Sequence, residues 1–344
     1  MHAPSRLVCL SPLALGLAPG VASPFDPSVA PAAVKWIAHV DVEAMQASEA
    51  GRFILANKQM LDIDADDIEE MNRILQLNME RDLKGFTVYN GSGGERDDAI
   101  GVATFSAEVE KQAERLAREA PTFKKVVDGD FTYFSWIDQE EVRCAAILPS
   151  KGGAALRTVV ITPDAASLRE AAAVVAGKSP SIAADSPLLS RRPAPGSVIF
   201  ASAIEFPRER GDDMARVLQQ AQGGTLDIGE TNGEIFGDLV VRAGKPQAAG
   251  DIAQVGNGLM ALGRMMGAED PETKRLADAL SAITITVEGS NVVVKARYPA
   301  AKAVEALRQA ADARAADEDN DGEHHQHHGK KGRKGNHEGE KPKY

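Results

Sequence analysis

A Pro-rich segment, "KSPSIAADSPLLSRRPAPGS", divides the sequence into two stretches in which the same kinds of element follow in nearly the same order. Short segments that alternate apolar and polar residues indicate strands, and apolar residues at helical spacing indicate the helices between them. This order predicts an α+β fold of two similar halves, each a mostly antiparallel sheet with helices packed on one face, and it indicates an internal duplication. Periodicity does not decide whether the halves form one sheet or two.

Element order and shifts in composition divide the 344 residues into six segments. A chain of this length can bury a large core in either half. The segments are an export signal (1–22), a Pro/Ala leader (23–33), the first α+β half (34–178), the Pro-rich joint (179–196), the second α+β half (197–313) and an acidic, His-rich and then basic tail (314–344).

The first residues have the pattern of an export signal. Arg6 supplies a positive charge, and the short apolar stretch Leu7–Ala22 ends in small residues that fit cleavage after Ala22. This stretch is too short to span a bilayer, which takes about 20 apolar residues. Cleavage would leave Cys144 as the one remaining thiol, so we expect no internal disulfide and a buried structural role for Cys144. The sequence predicts an exported protein of the periplasm, cell envelope or extracellular space that does not span the membrane.

The charge balance limits the class of partner. The formal net charge is −11, and losing Arg6 with the signal makes it −12. A body this acidic repels nucleic acid and anionic lipid surfaces. We therefore expect no nucleic-acid partner and leave an unidentified protein or a small ligand as the binding partner.

The strand "VKWIAHVDV" carries the single histidine between leader and tail. Alternation predicts a core face and an opposite, polar and solvated face. The core face would carry Trp36, Ala38, Val40 and Val42, and the polar face Lys35, Ile37, His39 and Asp41. On an open sheet face, His39 and Asp41 could act as a general base and its orienting carboxylate. A solvated strand face without a catalytic role is the alternative interpretation.

Other motifs point to structure more than to chemistry. "AGKSP" ends like a phosphate loop, but Ala172 stands where the first glycine belongs and the motif follows a helix. The glycines of "VGNGLMALG" predict close helix packing. The acids at 64–69 fit the first turn of a helix, with a calcium site as the alternative, and the loop "NGSGGERDD" fits a hairpin connection, with ligand binding as the alternative.

The composition after residue 314 predicts a disordered tail, because few apolar residues remain to offset the entropy of ordering. Asp317, Asp319 and Asp321 imitate the first positions of a calcium loop, followed by Gly322. The bidentate carboxylate that should close such a loop is replaced by His328. A calcium hand is therefore not expected.

The same tail holds a histidine cluster that suits transition metals. Its members are His324, His325, His327 and His328. Imidazole binds zinc, nickel and copper, and a flexible chain can wrap the ion. We expect no required cofactor, and the tail is either a chelator of Zn, Ni or Cu or a hydrophilic extension with incidental affinity.

The opening "VKWIAHVDVEAMQASEAGRFIL", directly after a leader, resembles the start of uncharacterised exported bacterial proteins of the kind common in planctomycetes. The shared features are a strand ending in His/Val-Asp and a following helix with a Ser-x-x-Gly turn. The resemblance covers about the first fifth of the chain after the leader. It implies export and brings no known activity or catalytic residues.

Together these features predict a non-catalytic exported α+β protein that binds a ligand or partner, with an accessory chelating tail. Two alternatives stay open. One is a hydrolase that uses His39 and Asp41. The other is a carrier of apolar ligands or lipoproteins, which would need a deep apolar cavity between sheet and helices.

Overall fold

The computed structural model describes residues 25–57, 77–90, 99–106, 109–138, 141–150, 156–206, 220–266 and 277–324, with side chains as far as Asp312. The strands are β1 (Trp36–Asp41), β2 (Leu83–Asn90), β3 (Ala99–Phe105), β4 (Lys124–Asp128), β5 (Phe131–Asp138), β6 (Glu141–Pro149), β7 (Arg157–Thr162), β8 (Ser197–Ala203), β9 (Ala221–Thr231), β10 (Glu234–Ala243), β11 (Ile283–Glu288) and β12 (Asn291–Pro299). The helices are α1 (Val42–Ala47), α2 (Glu49–Ala56), α3 (Met79–Asp82), α4 (Val109–Glu119), α5 (Ala165–Val175), α6 (Pro246–Met266) and α7 (Ala300–His324).

All these strands form one continuous antiparallel sheet of twelve strands, in the order β11-β12-β10-β9-β8-β1-β2-β3-β7-β6-β5-β4. The halves meet where β1 pairs with β8. Outward from this junction the order is β1-β2-β3-β7-β6 in the first half and β8-β9-β10-β12-β11 in the second. The first half adds the hairpin β4–β5 beyond β6. The predicted mixture of antiparallel sheet and helices is confirmed, and the two halves share one sheet.

The register defines two faces of this sheet. Residues directly opposite each other on antiparallel strands point to the same side. One such row crosses ten strands and consists of Ala146, Val160, Val102, Thr87, His39, Phe200, Asp227, Asp238, Lys295 and Thr284. We call its side the His39 face and the opposite side, which carries Trp36, the Trp36 face.

On β1 the structure reverses the predicted sides. Ile37, His39 and Asp41 are buried, whereas the alternate residues beginning with Trp36 are only half-buried. The prediction of a solvated face under His39 is therefore wrong. Alternation identifies which residues share a side, but the surrounding chain decides which side is covered, and here the His39 face lies beneath other segments.

Those covering segments are the leader and the joint, which the sequence had suggested as connections. Ala30 accepts a hydrogen bond from the amide of Ile182 at 3.0 Å, and Pro31 bridges to Ser181. Ala30 and Leu188 are 0% and 1% exposed and belong to the largest core cluster. Both segments therefore pack onto the His39 face as part of the core.

Helices of the first half occupy both faces, since Val109 of α4 packs with Ala103 on the Trp36 face, so the prediction that each half packs its helices on one face is wrong for that half. Leu168 of α5 packs with Val160 on the His39 face. Ile252 of α6 packs with Val292 and Ile285, which lie on the Trp36 face. A sheet this wide carries apolar residues on both sides, and each side needs cover.

Glycines have structural roles at two helices, and the close packing predicted for "VGNGLMALG" is found at Gly256 but not at Gly258, where an added Cβ would meet nothing within 4 Å. Gly177 ends α5 with a φ of +72°, and the amides of Gly177 and Lys178 donate to carbonyls of that helix at 2.8 Å. The "AGKSP" segment is thus a helix cap. At Gly256 of α6, an added Cβ would lie 2.9 Å from Ile285, which shows the close helix packing expected there.

The last helix is longer than predicted. The second half was predicted to end at residue 313, but α7 continues to His324. The Ala-rich stretch before Asp317 favours helix and extends it past the expected boundary. Asp317, Asp319 and Asp321 thus lie on helical backbone, which is not the backbone of a calcium loop.

Several predictions fall outside the described residues. They concern the export signal at 1–22, the acids at 64–69, the hairpin loop at 91–98, most of a helix predicted for "DDMARVLQQA" (212–221), and His325, His327 and His328.

Candidate functional site

His39 lies at the centre of the sheet, with Thr87 of β2 and Phe200 of β8 directly beside it. It is 6% exposed, and its Nδ1 lies 2.9 Å from the hydroxyl of Thr87. The ring of Phe25 from the leader lies 5.8 Å from the His39 ring. The histidine is therefore covered by the leader and bonded within the sheet, not presented on an open face.

Asp41 serves the helix that follows it. Its carboxylate accepts a hydrogen bond from the amide of Ala44 at 2.8 Å and caps α1. Burial raises the pKa of Asp41. The geometry thus gives Asp41 a structural role as a helix cap, and the hydrolase that would use it with His39 stays a prediction.

A group of buried polar atoms surrounds this centre and was missed by sequence reasoning. Ser202 and Tyr89 flank Ile37 on the neighbouring strands, and Asp227 lies beside Phe200. Among the described residues, Ser202 Oγ, Tyr89 Oη and Asp227 Oδ1 have no hydrogen-bond partner. Burial raises the pKa of Tyr89, so its hydroxyl stays protonated. Unpaired buried polar atoms of this kind can bind a buried water. They come from different strands, so their positions around the centre become visible only from the register of the sheet.

The second half has a concave surface, a cleft lined by residues of several elements. It lies between the first turns of α7 and the end of the sheet at β11 and β12, and its volume is about 1240 Å³. The chain at 278–282 forms a third wall. The floor residues Ile235, Ile283, Ala296 and Tyr298 share the Trp36 face, and the α7 wall presents Ala303, Ala306 and Leu307.

Positively charged, negatively charged and uncharged polar side chains lie at this cleft. They are Asp278, Lys302, Glu305 and Gln309, whereas the guanidinium of Arg297, which also borders the cleft, lies on the His39 face. Arg297 is held by Asp238, whose carboxylate lies 2.7 Å from it and raises its pKa. A mostly apolar lining with a few polar groups can bind an apolar group that has polar groups around it. Sequence periodicity could not identify this cleft, because its lining comes from separated segments.

The described residues offer little for metal or covalent chemistry. They contain no group of three or more His, Cys, Asp or Glu side chains that could hold a metal ion. Cys144 is 2% exposed and burial raises its pKa, which confirms the predicted structural thiol. Of the predicted histidine cluster, the structure places His324 at the end of α7.

No helix within the described part of the chain is long and apolar enough to cross a membrane.

Comparisons with known proteins give distant similarities only. No family model matches the chain, and no curated protein is significantly similar to it. Among solved structures, the chain is similar to crystal form III of TP0453, with a TM-score of 0.45 and 10% identity over 82% of this chain and 98% of that one. For crystal form I of TP0453 the TM-score is 0.41, with 10% identity over 83% of this chain and 97% of that one. At these values we infer no function from the similarity.

Proposed function

We propose that this protein is an exported, non-catalytic binding protein of the periplasm or cell envelope, and that it binds an apolar segment of a partner in the cleft beside α7. The observation that carries the proposal is the cleft itself, with its apolar floor and α7 wall. The non-catalytic part is supported by the structural roles of the residues that had suggested catalysis. Asp41 caps α1, and His39 lies under Phe25.

The shape and lining of the cleft favour a segment of a partner. The cleft is open to solvent along α7, whereas small-molecule sites bury most of their ligand. An apolar side chain or short apolar segment could lie on Ala296 and Tyr298 while the rest of the partner stays in water. Lys302 and Glu305 would then contact its polar flanks.

The binding place can be tested with one substitution and a matched control on the same helix. Ala306 lines the cleft, whereas Ala310 is exposed on α7 outside it. We expect Ala306→Glu to weaken binding of Nile red, a neutral apolar probe, by about tenfold, because the added carboxylate would have to be desolvated. Ala310→Glu should bind the probe as the unmodified chain does.

Two results would count against this placement. Equal probe affinity in Ala306→Glu and the unmodified chain would remove the cleft as the binding place, and equal weakening in Ala310→Glu would point to a general charge effect. Both variants should keep their unfolding free energy within about 0.5 kcal/mol, which checks that the fold is intact.

We further propose that the two halves arose by duplication of one α+β unit. The supporting observation is the common strand order on either side of the β1–β8 junction. The hairpin β4–β5 is then an addition to the first half.

The tail is proposed as an accessory chelator of zinc, nickel or copper. Replacing His324, His325, His327 and His328 by alanine in the full chain should reduce nickel affinity measured by calorimetry, since each imidazole is a metal ligand at neutral pH. Unchanged affinity would place the metal elsewhere.

A further inference from the structure

The two edges of the sheet differ in how they are protected. The edge strand β4 carries Lys124, Lys125 and Asp128 within five residues. The opposite edge strand, β11, reads "ITITVE" and has a single charge, Glu288, at its end. Charged residues, especially lysine, protect an edge from pairing with another chain, and β-branched residues favour pairing. Among the described residues, the unprotected edge of the sheet is β11.

Two copies of β11 can pair antiparallel with side chains of the same kind opposite each other. If Ile285 lies opposite Ile285 of a second copy, Thr284 faces Thr286 and Ile283 faces Val287. The pairs on one side are then apolar and those on the other are threonines, two kinds of cross-strand pair that stabilise sheets. Glu288 falls beyond these pairs. Thr284 and Thr286 are exposed on the His39 face, so none of the described residues covers their side chains there.

A second exposed apolar surface lies on the helix above this edge. Helix α6 packs against β11, where Gly256 approaches Ile285. Its outer side carries Val255, Leu259, Leu262 and Met265, which are 36%, 49%, 54% and 74% exposed. Asp251 and Arg264 are the only charged residues of α6. Such an apolar row on a helix is typical of a contact surface.

We propose that a second copy of this chain pairs antiparallel through β11, joining the two sheets into one. The two-fold axis of such a pair is perpendicular to the sheet, so the same face of both copies lies on the same side. The two α6 helices therefore flank the junction on the Trp36 face and run antiparallel. This places the exposed apolar side chains of both α6 helices on the same face of the joined sheet, and it places Asp251 of each copy near the end of the helix that carries Arg264 in the other.

A charge-swap experiment on the full chain tests this pairing. In Thr284→Lys with Thr286→Lys, each new lysine would face a lysine of the second copy, whereas both side chains are exposed in the single chain. By light scattering during gel filtration across a concentration series, the unmodified chain should have twice the mass of one chain and this variant the mass of one. Mixing it with Thr284→Glu and Thr286→Glu should restore the double mass, because lysine then faces glutamate.

The matched control is Val127→Lys on the protected edge, where Val127 is 67% exposed. It should keep the double mass. An unmodified chain that stays single at all concentrations, a lysine variant that keeps the double mass, or a lysine and glutamate mixture that stays single would each overturn the proposal. Loss of the double mass in Val127→Lys would overturn it as well, since the contact would then lie at the other edge.

Discussion

Val160 and Lys295 lie in the same row on the same face of one sheet, yet Val160 is fully buried and Lys295 is exposed. What differs is the cover, because α5, the leader and the joint pack over the first half of the His39 face. In the second half the row continues as Asp227, Asp238 and Lys295, and its exposure increases toward the edge. The elements that pack over a sheet face therefore decide which part of it becomes core.

The largest expected effect comes from removing part of that cover. Leu168 of α5 is 0% exposed in the core of the first half. We expect Leu168→Ala to lower the unfolding free energy by about 2–5 kcal/mol, because it loses buried surface and leaves a cavity. The matched change in the second half, Lys295→Ala, should stay within about 0.5 kcal/mol. Urea denaturation measures both.

Equal losses of unfolding free energy in Leu168→Ala and Lys295→Ala would contradict the proposed difference in cover between the two parts of the His39 face. A small loss in both would mean that α5 contributes little to the stability of the first half, and its role as cover would have to be given to the leader and joint.

A smaller effect is expected where the halves are joined across the sheet. Glu230 of β9 accepts hydrogen bonds from the amides of Glu49 and Ala50 at 2.9 and 3.0 Å. A carboxylate of the second half thus binds the first turn of a first-half helix, where the helix dipole favours negative charge. We expect Glu230→Ala to lower the unfolding free energy by about 1–2 kcal/mol, as loss of a helix cap does.

The control for this contact is Glu234→Ala, an exposed glutamate on the neighbouring strand, which should be nearly neutral. Two separate unfolding transitions in Glu230→Ala would show halves that unfold apart. A single transition, shifted to lower urea, is expected because the sheet is continuous across β1 and β8.

Much of the sheet follows from the sequence, because hairpins are local. The segments "KKVVDGDFTYFSWI" and "ITITVEGSNVVVKARY" each have two β-prone runs around a short turn with glycine, the pattern of a hairpin, and they form β4–β5 and β11–β12. The cover was harder to predict. His39 and Asp41 suggested a solvated face, since polar residues are usually exposed, but Thr87 and Ala44 satisfy them within the fold.

The cleft beside α7 and the polar centre of the sheet could not be predicted for a related reason. The cleft combines Ile235, Ala296 and Ala306, which only the tertiary structure brings together. Ser202 and Tyr89 lie on strands of different halves, and their placement beside Ile37 required knowing that the halves share one sheet. Periodicity left that choice open.

The smallest expected effect concerns pH and the two helices that cover opposite faces. Asp164 caps α5, and hydrogen bonds from the hydroxyl and amide of Ser167 and from the amide of Ala166 lower its pKa. A carboxyl group with a lowered pKa in the folded state stabilises above its unfolded pKa, and the contribution is lost as pH falls through the folded value, below about pH 4. By contrast, α6 begins at Pro246 without an acidic residue in its first turn.

Lowering the pH should therefore reduce the stability of α5 more than that of α6. Because Asp164 is exposed, solvent screens its charge, and we expect a loss below about 1 kcal/mol. Hydrogen-exchange protection factors of the two helices, compared between neutral and acidic pH, measure the difference, and Asp164→Asn, which keeps an acceptor without the charge, should reduce it. Equal loss of protection in α5 and α6 would contradict the prediction, because an acid effect common to both helices cannot come from a cap that only α5 has.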